Sequence, residues 1–444
     1  MRSSYFAVLF CLPVVAQQLE TRPAVLQLSL KKAVEIALSP EGSTRLQLAQ
    51  ESLKQTEARK DEARSSLLPD FEGQISEKNM DENLRALGLR FVIPAGFGFS
   101  IPTFVQPFSI LDVRASVNQN VFDFSSIRRF QSAKATVGAA RSDLNDTRDR
   151  VMDQVARSYL TALRAQTTVE TAKANVQLSE ALVKLAQSQK NAGTGTGIEV
   201  TRAKVQLAND EQNLLVAETD QTRSNLQLLK VLGVRIDNAV ELTDRMEYTP
   251  SDTLDAEHAL KAALDKRPDL KAQQAREVSA QFSYSSVKFE RLPSVVGFAD
   301  YGSIGSTSSL LPTREFGLSL RVPIFDGGRR DAERAESASQ LRQERIKTAD
   351  LRDQIELDVR TAIVSLKSAD AQVKTAREGL QLAEEEVSHA RRRYEAGITN
   401  SIEVTDAQTR LDRARENVIS ALYNHNLARI DLASAMGRIE TVVQ

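Results

Sequence analysis

Ala192-Gly193-Thr194-Gly195-Thr196-Gly197-Ile198-Glu199-Val200-Thr201-Arg202-Ala203 returns as Ala396-Gly397-Ile398-Thr399-Asn400-Ser401-Ile402-Glu403-Val404-Thr405-Asp406-Ala407, a constant 204 residues further along the chain. The same offset carries Leu207 onto Leu411, Leu228 onto Leu432 and Gly233 onto Gly437. Upstream, Ala33, Ala37 and Leu38 match Ala259, Ala263 and Leu264 at 226 residues. Leu68-Pro69 matches Leu292-Pro293 at 224, and Val121-Phe122-Asp123 resembles Ile324-Phe325-Asp326 at 203. A period this long repeated once is a duplicated structural unit. We divide the chain into a signal segment 1–16, a first repeat 17–236, a linker 237–257, a second repeat 258–438 and a tail 439–444.

Each half predicts the same order: helix, two strands, a very long helix, a Gly-containing turn and a returning helix. Ala139 to Ala192 and Arg329 to Glu378 contain no Gly or Pro, and apolar residues recur every three or four positions. Val151, Val155, Tyr159 and Leu163 mark the stripe in the first half, and Ile355, Val359, Ile363 and Leu366 mark it in the second. A helix of about 60 residues would reach about 90 Å, more than a compact domain needs. Helices near 198–232 and 402–436 should fold back antiparallel as coiled-coil partners.

Strand-like alternation appears twice more clearly than elsewhere. Val113, Ala115 and Val117 alternate with Arg114, Ser116 and Asn118, and Phe316, Leu318 and Leu320 alternate with Glu315, Ser319 and Arg321. Strands are expected near 70–76, 112–122, 294–301 and 315–323. Between them, Glu77 to Leu111 and Gly302 to Arg314 are expected to be external loops, the first of unassigned conformation and containing Phe91-Val92-Ile93-Pro94. Four such strands cannot close a barrel. About eight would leave an interior filled by side chains, and about twelve, from three copies, could enclose an aqueous lumen.

Composition narrows the classes. The chain has no Trp, only 5% aromatics, and 58 Lys plus Arg against 59 Asp plus Glu, interleaved in sign, which speaks against a nucleic-acid partner. Arg2, the apolar run Tyr5 to Val15 and the small residues Val14 and Ala16 form a secretory signal with cleavage expected after Ala16. Cys11, the single cysteine, lies inside it; its lipidation is the competing expectation, although Phe10 precedes it where a small residue is usual. Past the signal no apolar run is long enough for a membrane helix, so a membrane span would have to be a barrel. His258, His389 and His425 are far apart and are expected at the surface, with no metal site. Gly193-Thr194-Gly195-Thr196-Gly197 lacks the Lys-Ser/Thr of a phosphate loop. No catalytic constellation and no cofactor are expected.

The duplicated plan, Arg393-Tyr394-Glu395-Ala396-Gly397 before Ile402-Glu403-Val404, and Pro323-Ile324-Phe325-Asp326-Gly327-Gly328 closing a strand together resemble the TolC-like outer-membrane efflux proteins. The resemblance spans about Leu28 to Arg438. It implies a mainly α chain with membrane β structure: four strands per chain in a twelve-stranded barrel of a homotrimer, continued by a long α-helical coiled-coil tunnel in the periplasm. It further implies outer-membrane lipid around the barrel, a periplasmic adaptor protein, and an inner-membrane pump of RND, ABC or other type. Both turns would lie at the periplasmic tip, with Ala192, Gly193, Gly195, Gly197, Ala396, Gly397, Asn400 and Ser401 as adaptor contacts. Tyr394 falls at the family's aromatic tether, Glu199 at its acidic partner, and Glu403 and Asp406 at the two acidic positions that narrow the pore. Glu replaces Asp at two of these sites, and Thr399 stands where a basic gate residue can occur.

Independently of the resemblance, Glu403 and Asp406 are three apart in a first helical turn, where carboxylates favour the positive helix end. On position alone ordinary capping is the stronger explanation, since Asp and Glu are common in a first helical turn. A ring of such groups around a pore would attract cations. The expected function is an exit duct for drugs, metals or polypeptide. The alternative from another class is a periplasmic coiled-coil adaptor or structural protein with no pore, against which the duplicated hairpins and two-faced strands count.

Overall fold

The computed structural model describes residues 25–40, 42–89, 103–250 and 255–443. The expected signal with Cys11 and its cleavage point, and Phe91-Val92-Ile93-Pro94, lie outside these residues. The first half runs β1 (Val25–Leu28), α1 (Leu30–Leu38), α2 (Thr44–Ser65), β2 (Asp70–Asn83), β3 (Phe104–Phe122), α3 (Phe124–Asn191) and α4 (Gly197–Leu232). The second runs β4 (Ala239–Leu242), α5 (Ala256–Lys266), α6 (Pro268–Phe289), β5 (Ser294–Ser306), β6 (Ser309–Arg321), α7 (Arg329–Glu395), α8 (Ser401–Ala435) and α9 (Glu440–Val443).

The two long helices have 68 and 67 residues, roughly 100 Å each at 1.5 Å per residue. Asp123 caps α3, its Oδ1 accepting the Ser125 N–H at 2.9 Å, whereas α7 starts from Gly328 in the left-handed conformation, with Asp326 Oδ1 accepting the Gly328 N–H at 3.2 Å just ahead of it. The 22-residue helices α2 and α6 repeat at the 224-residue offset at both ends. Both carry a long helix alongside: α2 packs on α3, and α6 packs on α3 and α7.

The strands form one antiparallel sheet in the order β2-β3-β5-β6. They run further than alternation alone indicated. Residues 77–83 and 104–111 are strand, and Gly302 to Arg314 is not a loop but the upper part of a hairpin that turns between Ser306 and Ser309. Cross-strand pairing, which a single strand's sequence does not display, extends them. On one face Phe71, Ile75, Tyr301, Phe316, Leu318 and Leu320 stand exposed. On the other, Arg114 pairs with Asp112 and lies 3.7 Å from Asp300. Among the described residues neither edge strand, β2 or β6, has a neighbour beyond it, and a sheet edge of this length is a template for pairing. No described helix is long and apolar enough to cross a membrane.

Below the sheet, a core of Leu28, Ala33, Ala37, Val155, Tyr159, Leu228, Leu232, Ile430 and Ile439 gathers both repeats around β1 and β4, which pair in parallel from Val25 and Ala239 to Leu28 and Leu242. The Tyr159 hydroxyl reaches the Leu28 carbonyl at 3.1 Å and Asp244 Oδ2 at 2.8 Å, and Asp244 Oδ2 also accepts the Leu30 N–H at 2.8 Å. Burial, and then the Asp244 carboxylate, pushes the Tyr159 hydroxyl up, so it remains a donor.

One surface expectation is overturned. His425 is fully buried on α8, with its ring 4.9 Å from that of Tyr248 and Nε2 3.0 Å from Asp370 Oδ1. The segment after β4 crosses α8 there, held by Asn426 Nδ2 on the Glu247 carbonyl at 3.2 Å. Burial holds the His425 imidazole below its ordinary range. His258 and His389 are exposed.

Candidate functional site

The two Gly-containing turns close their hairpins by one mechanism. Gly193 and Gly397 have φ of 76° and 70°, the left-handed conformation that ends a helix at little cost only for glycine. Thr194 N–H then reaches back to the Gln189 carbonyl at 3.0 Å, and Ile398 N–H to the Arg393 carbonyl at 2.9 Å. Ala192 and Ala396 cap the descending helices, and Gly197 and Ser401 begin the returning ones. Asn400 caps α8 by accepting the Ile402 N–H at 3.0 Å. Ala192, Gly193, Gly197, Ala396, Gly397 and Asn400 are exposed, and Gly195 is half-buried. Ser401 differs from the expected contact set: it is only 8% exposed and faces inward.

The four helices meet just above these turns. Ala383, Val387, Ala390 and Tyr394 of α7 pack on Val404, Ala407, Leu411 and Ala414 of α8, with Leu178, Leu182 and Leu185 of α3 against them. Alanine at four of these steps lets the helix axes approach closely. Tyr394 is 5% exposed, and Gln189 Nε2 donates to its carbonyl at 3.4 Å, tying the first hairpin to the second. Burial, and then the nearby Glu199 carboxylate, pushes the Tyr394 hydroxyl up.

Glu199, Tyr394, Glu403 and Asp406 are therefore brought to one end of the bundle, but they are engaged differently. Glu199 Oε2 accepts the Thr196 N–H at 2.8 Å, capping its own helix, while the Tyr394 hydroxyl makes no hydrogen bond among the described residues. Glu403 is drawn back within its hairpin: Arg393 Nη1 lies 2.9 Å from Oε1, and the Thr399 hydroxyl donates to Oε2. Arg393 and Thr399 thus both engage Glu403, one from each side of Gly397. Asp406 is exposed and lines a groove with Arg202, Val205 and Ile402 between α4 and α8.

A second acidic pair lies inside the bundle and was not singled out from the sequence. Asp210 of α4 is 5% exposed and accepts from the Ser179 hydroxyl of α3 and from Gln206 Nε2 at 3.1 Å. Asp412 of α8 faces it, and burial together with the Asp210 charge pushes its carboxyl up to about 6, against a lesser pull from Arg415. The signal was a charge on a buried step: Val200, Asp210 and Ala217 share the inward face of α4.

Among the described residues no group of three or more His, Cys, Asp or Glu side chains could hold a metal ion.

A family model described as "Outer membrane efflux protein" matches residues 38–234 and 259–438. The outer membrane efflux protein BepC of Brucella suis is 22% identical over 339 residues, covering 74% of this chain and 72% of that protein. The alkaline protease secretion protein AprF of Pseudomonas aeruginosa is 22% identical over 387 residues, covering 80% and 79%. The crystal structure of the outer membrane protein VceC of Vibrio cholerae superposes with a TM-score of 0.79 at 18% identity, covering 92% of this chain and 96% of that one.

Proposed function

The chain belongs to the outer membrane efflux protein family, and from that premise we propose which of its parts conduct, which close and which dock. It is an outer-membrane exit duct of a tripartite efflux or type I secretion system, with its helical tunnel in the periplasm. The observation that carries the assignment of parts is the four-stranded sheet, open at both edges, apolar on one face and charged on the other, fused to helices about 100 Å long.

Three copies would close that sheet into twelve strands, with Phe71, Ile75, Phe316 and Leu318 toward outer-membrane lipid and Arg114, Asp112 and Asp300 toward the lumen. A pore-less periplasmic adaptor would leave that apolar face in water. The tips are the constriction. Arg393 holds Glu403, Asp406 remains exposed beside it, and threefold repetition sets these carboxylates around the axis, where they favour cations. A periplasmic adaptor docks on the exposed turn residues Ala192, Gly193, Gly197, Ala396, Gly397 and Asn400, and an inner-membrane pump of RND, ABC or other type supplies the energy. The pump decides whether drug, metal or polypeptide travels, as the efflux and secretion relatives suggest.

Single-channel conductance in planar bilayers tests this with wild type and Glu403→Ala/Asp406→Ala. Discrete cation-selective openings that enlarge and lose selectivity in the variant are expected. An unchanged pore would move the constriction elsewhere, and failure to insert would overturn the conduit.

A further inference from the structure

Pro323-Ile324-Phe325, between β6 and α7, exposes two large apolar side chains more fully than any other stretch of the described chain. Ile324 is 95% and Phe325 87% exposed. Their counterparts across the duplication, Val121 and Phe122, are 59% and 44% exposed. The difference has a visible source. Phe122 belongs to β3, which is covered by β5 on that side and pairs there with Val295, and its ring rests edge-on against Phe124 at 4.5 Å. Phe325 follows β6, which ends at Arg321 and, among the described residues, has no strand beyond it.

Resting on the trimeric duct proposed above, we infer that the β3–β5 joint inside the chain is the template for the joint between copies, and that Ile324 and Phe325 seat on β2 of the next copy. The two offsets, 203 for β3 onto β6 and 224 for β2 onto β5, already hold within the chain. They turn the observed pair Asp70 and Asn118 into Ser294 and Arg321, which are paired. They also align Gly73 with Gly297 and the capping Asp123 with Asp326.

Applied to β3–β5, they give the register between copies. Phe122 with Val295 becomes Phe325 with Phe71 of the partner subunit, and Val117 with Ala299 becomes Leu320 with Ile75 of the partner subunit. Asn118 with Phe298 becomes Arg321 with Gln74 of the partner subunit. Apolar residues thus meet apolar ones on the outer face and polar residues meet on the inner, whereas a slip of one would cross the faces. The register shift between Asn120 and Phe122 falls at Pro323-Ile324, where a proline without an N–H is tolerated. The helices agree: α6 lies between α3 and α7, while α2 has α3 on one side and offers its other side to α7 of the next copy. β6 therefore lengthens to Phe325 on assembly.

Phe325→Cys with Phe71→Cys tests the register, because directly opposed residues lie within disulfide reach. Phe325→Cys with Gly73→Cys is the control, displaced about 7 Å along the strand. After mild oxidation the first pair should give covalent trimer on denaturing gels, roughly tenfold more than the control or either single variant. Native mass spectrometry separates the failures. A trimer that cross-links equally or better in the control overturns the register and leaves the duct standing. A chain that stays monomeric overturns the trimeric reading beneath it.

Discussion

Asp412→Asn should stabilise the helical bundle, and only at neutral pH. In the native bundle the Asp412 carboxyl is shifted from 3.8 to about 6 by burial and by Asp210 across the α4–α8 contact. Each tenfold change in proton affinity corresponds to about 1.4 kcal/mol, so holding this charge costs on the order of 3 kcal/mol. The side chain keeps some water contact, which reduces the cost to about 2 kcal/mol. The sign follows from linkage: a raised acid contributes its stability in full below 3.8 and loses it as pH climbs through about 6. Asparagine stays neutral throughout. Urea unfolding of the purified protein in detergent, followed by helical circular dichroism, should therefore show wild type and variant nearly superimposed at pH 4. By pH 8 they should be separated by about 2 kcal/mol, the variant the more stable. Comparing the pair at each pH cancels the titrating groups that do not couple to Asp412. An equal gap at both values, or a less stable variant at pH 8, would refute the opposition of Asp412 and Asp210.

Tyr159→Phe removes the hydroxyl that joins α3 to Leu28 and Asp244, and because one acceptor is a carboxylate the expected loss is about 1.5–3 kcal/mol in the same unfolding assay. Gly233→Ala and Gly193→Ala share nearly the same left-handed backbone, with φ of 73° and 76°, but differ in space. A Cβ at Gly233 would sit 2.6 Å from the Gly42 carbonyl oxygen, whereas one at Gly193 meets nothing within 4 Å. Alanine at 193 should cost about 1 kcal/mol from conformation alone, and alanine at 233 at least about 2 kcal/mol. Equal losses would show that contact with Gly42 is not what fixes the end of α4.

Much of this architecture is written locally. Long stretches without Gly or Pro and an apolar stripe specify helices α3 and α7, and a repeated offset specifies that whatever one half does the other repeats. The upper strands were hidden because their evidence is non-local. Pro312 reads as a strand breaker, yet it sits on β6, an edge strand, where its missing N–H spoils no ladder within the chain. His425 reads as a surface residue because what buries it, Tyr248, comes from an irregular segment 177 residues earlier. At the tip, residue types and their clustering were legible, but engagement was not. Arg393 belongs to a basic run that suggests a solvated face, and only the Gly397 turn brings it to Glu403.

The parallel pairing of β1 with β4 also sets an order of events. Val25 to Leu28 is among the first of the described segments to emerge from the export machinery, and its partner, Ala239 to Leu242, follows more than two hundred residues later. A contact of such long sequence separation forms slowly and leaves strands unsatisfied meanwhile. The first hairpin can coil early from local contacts, but β1 finds its partner strand only when the linker arrives. Synthesis halted before residue 239 would then leave a helical arm whose base is unclasped, a species for periplasmic chaperones and proteases to find. The clasp thus ties the start of the first repeat to the linker that leads into the second, a joint made halfway along the chain.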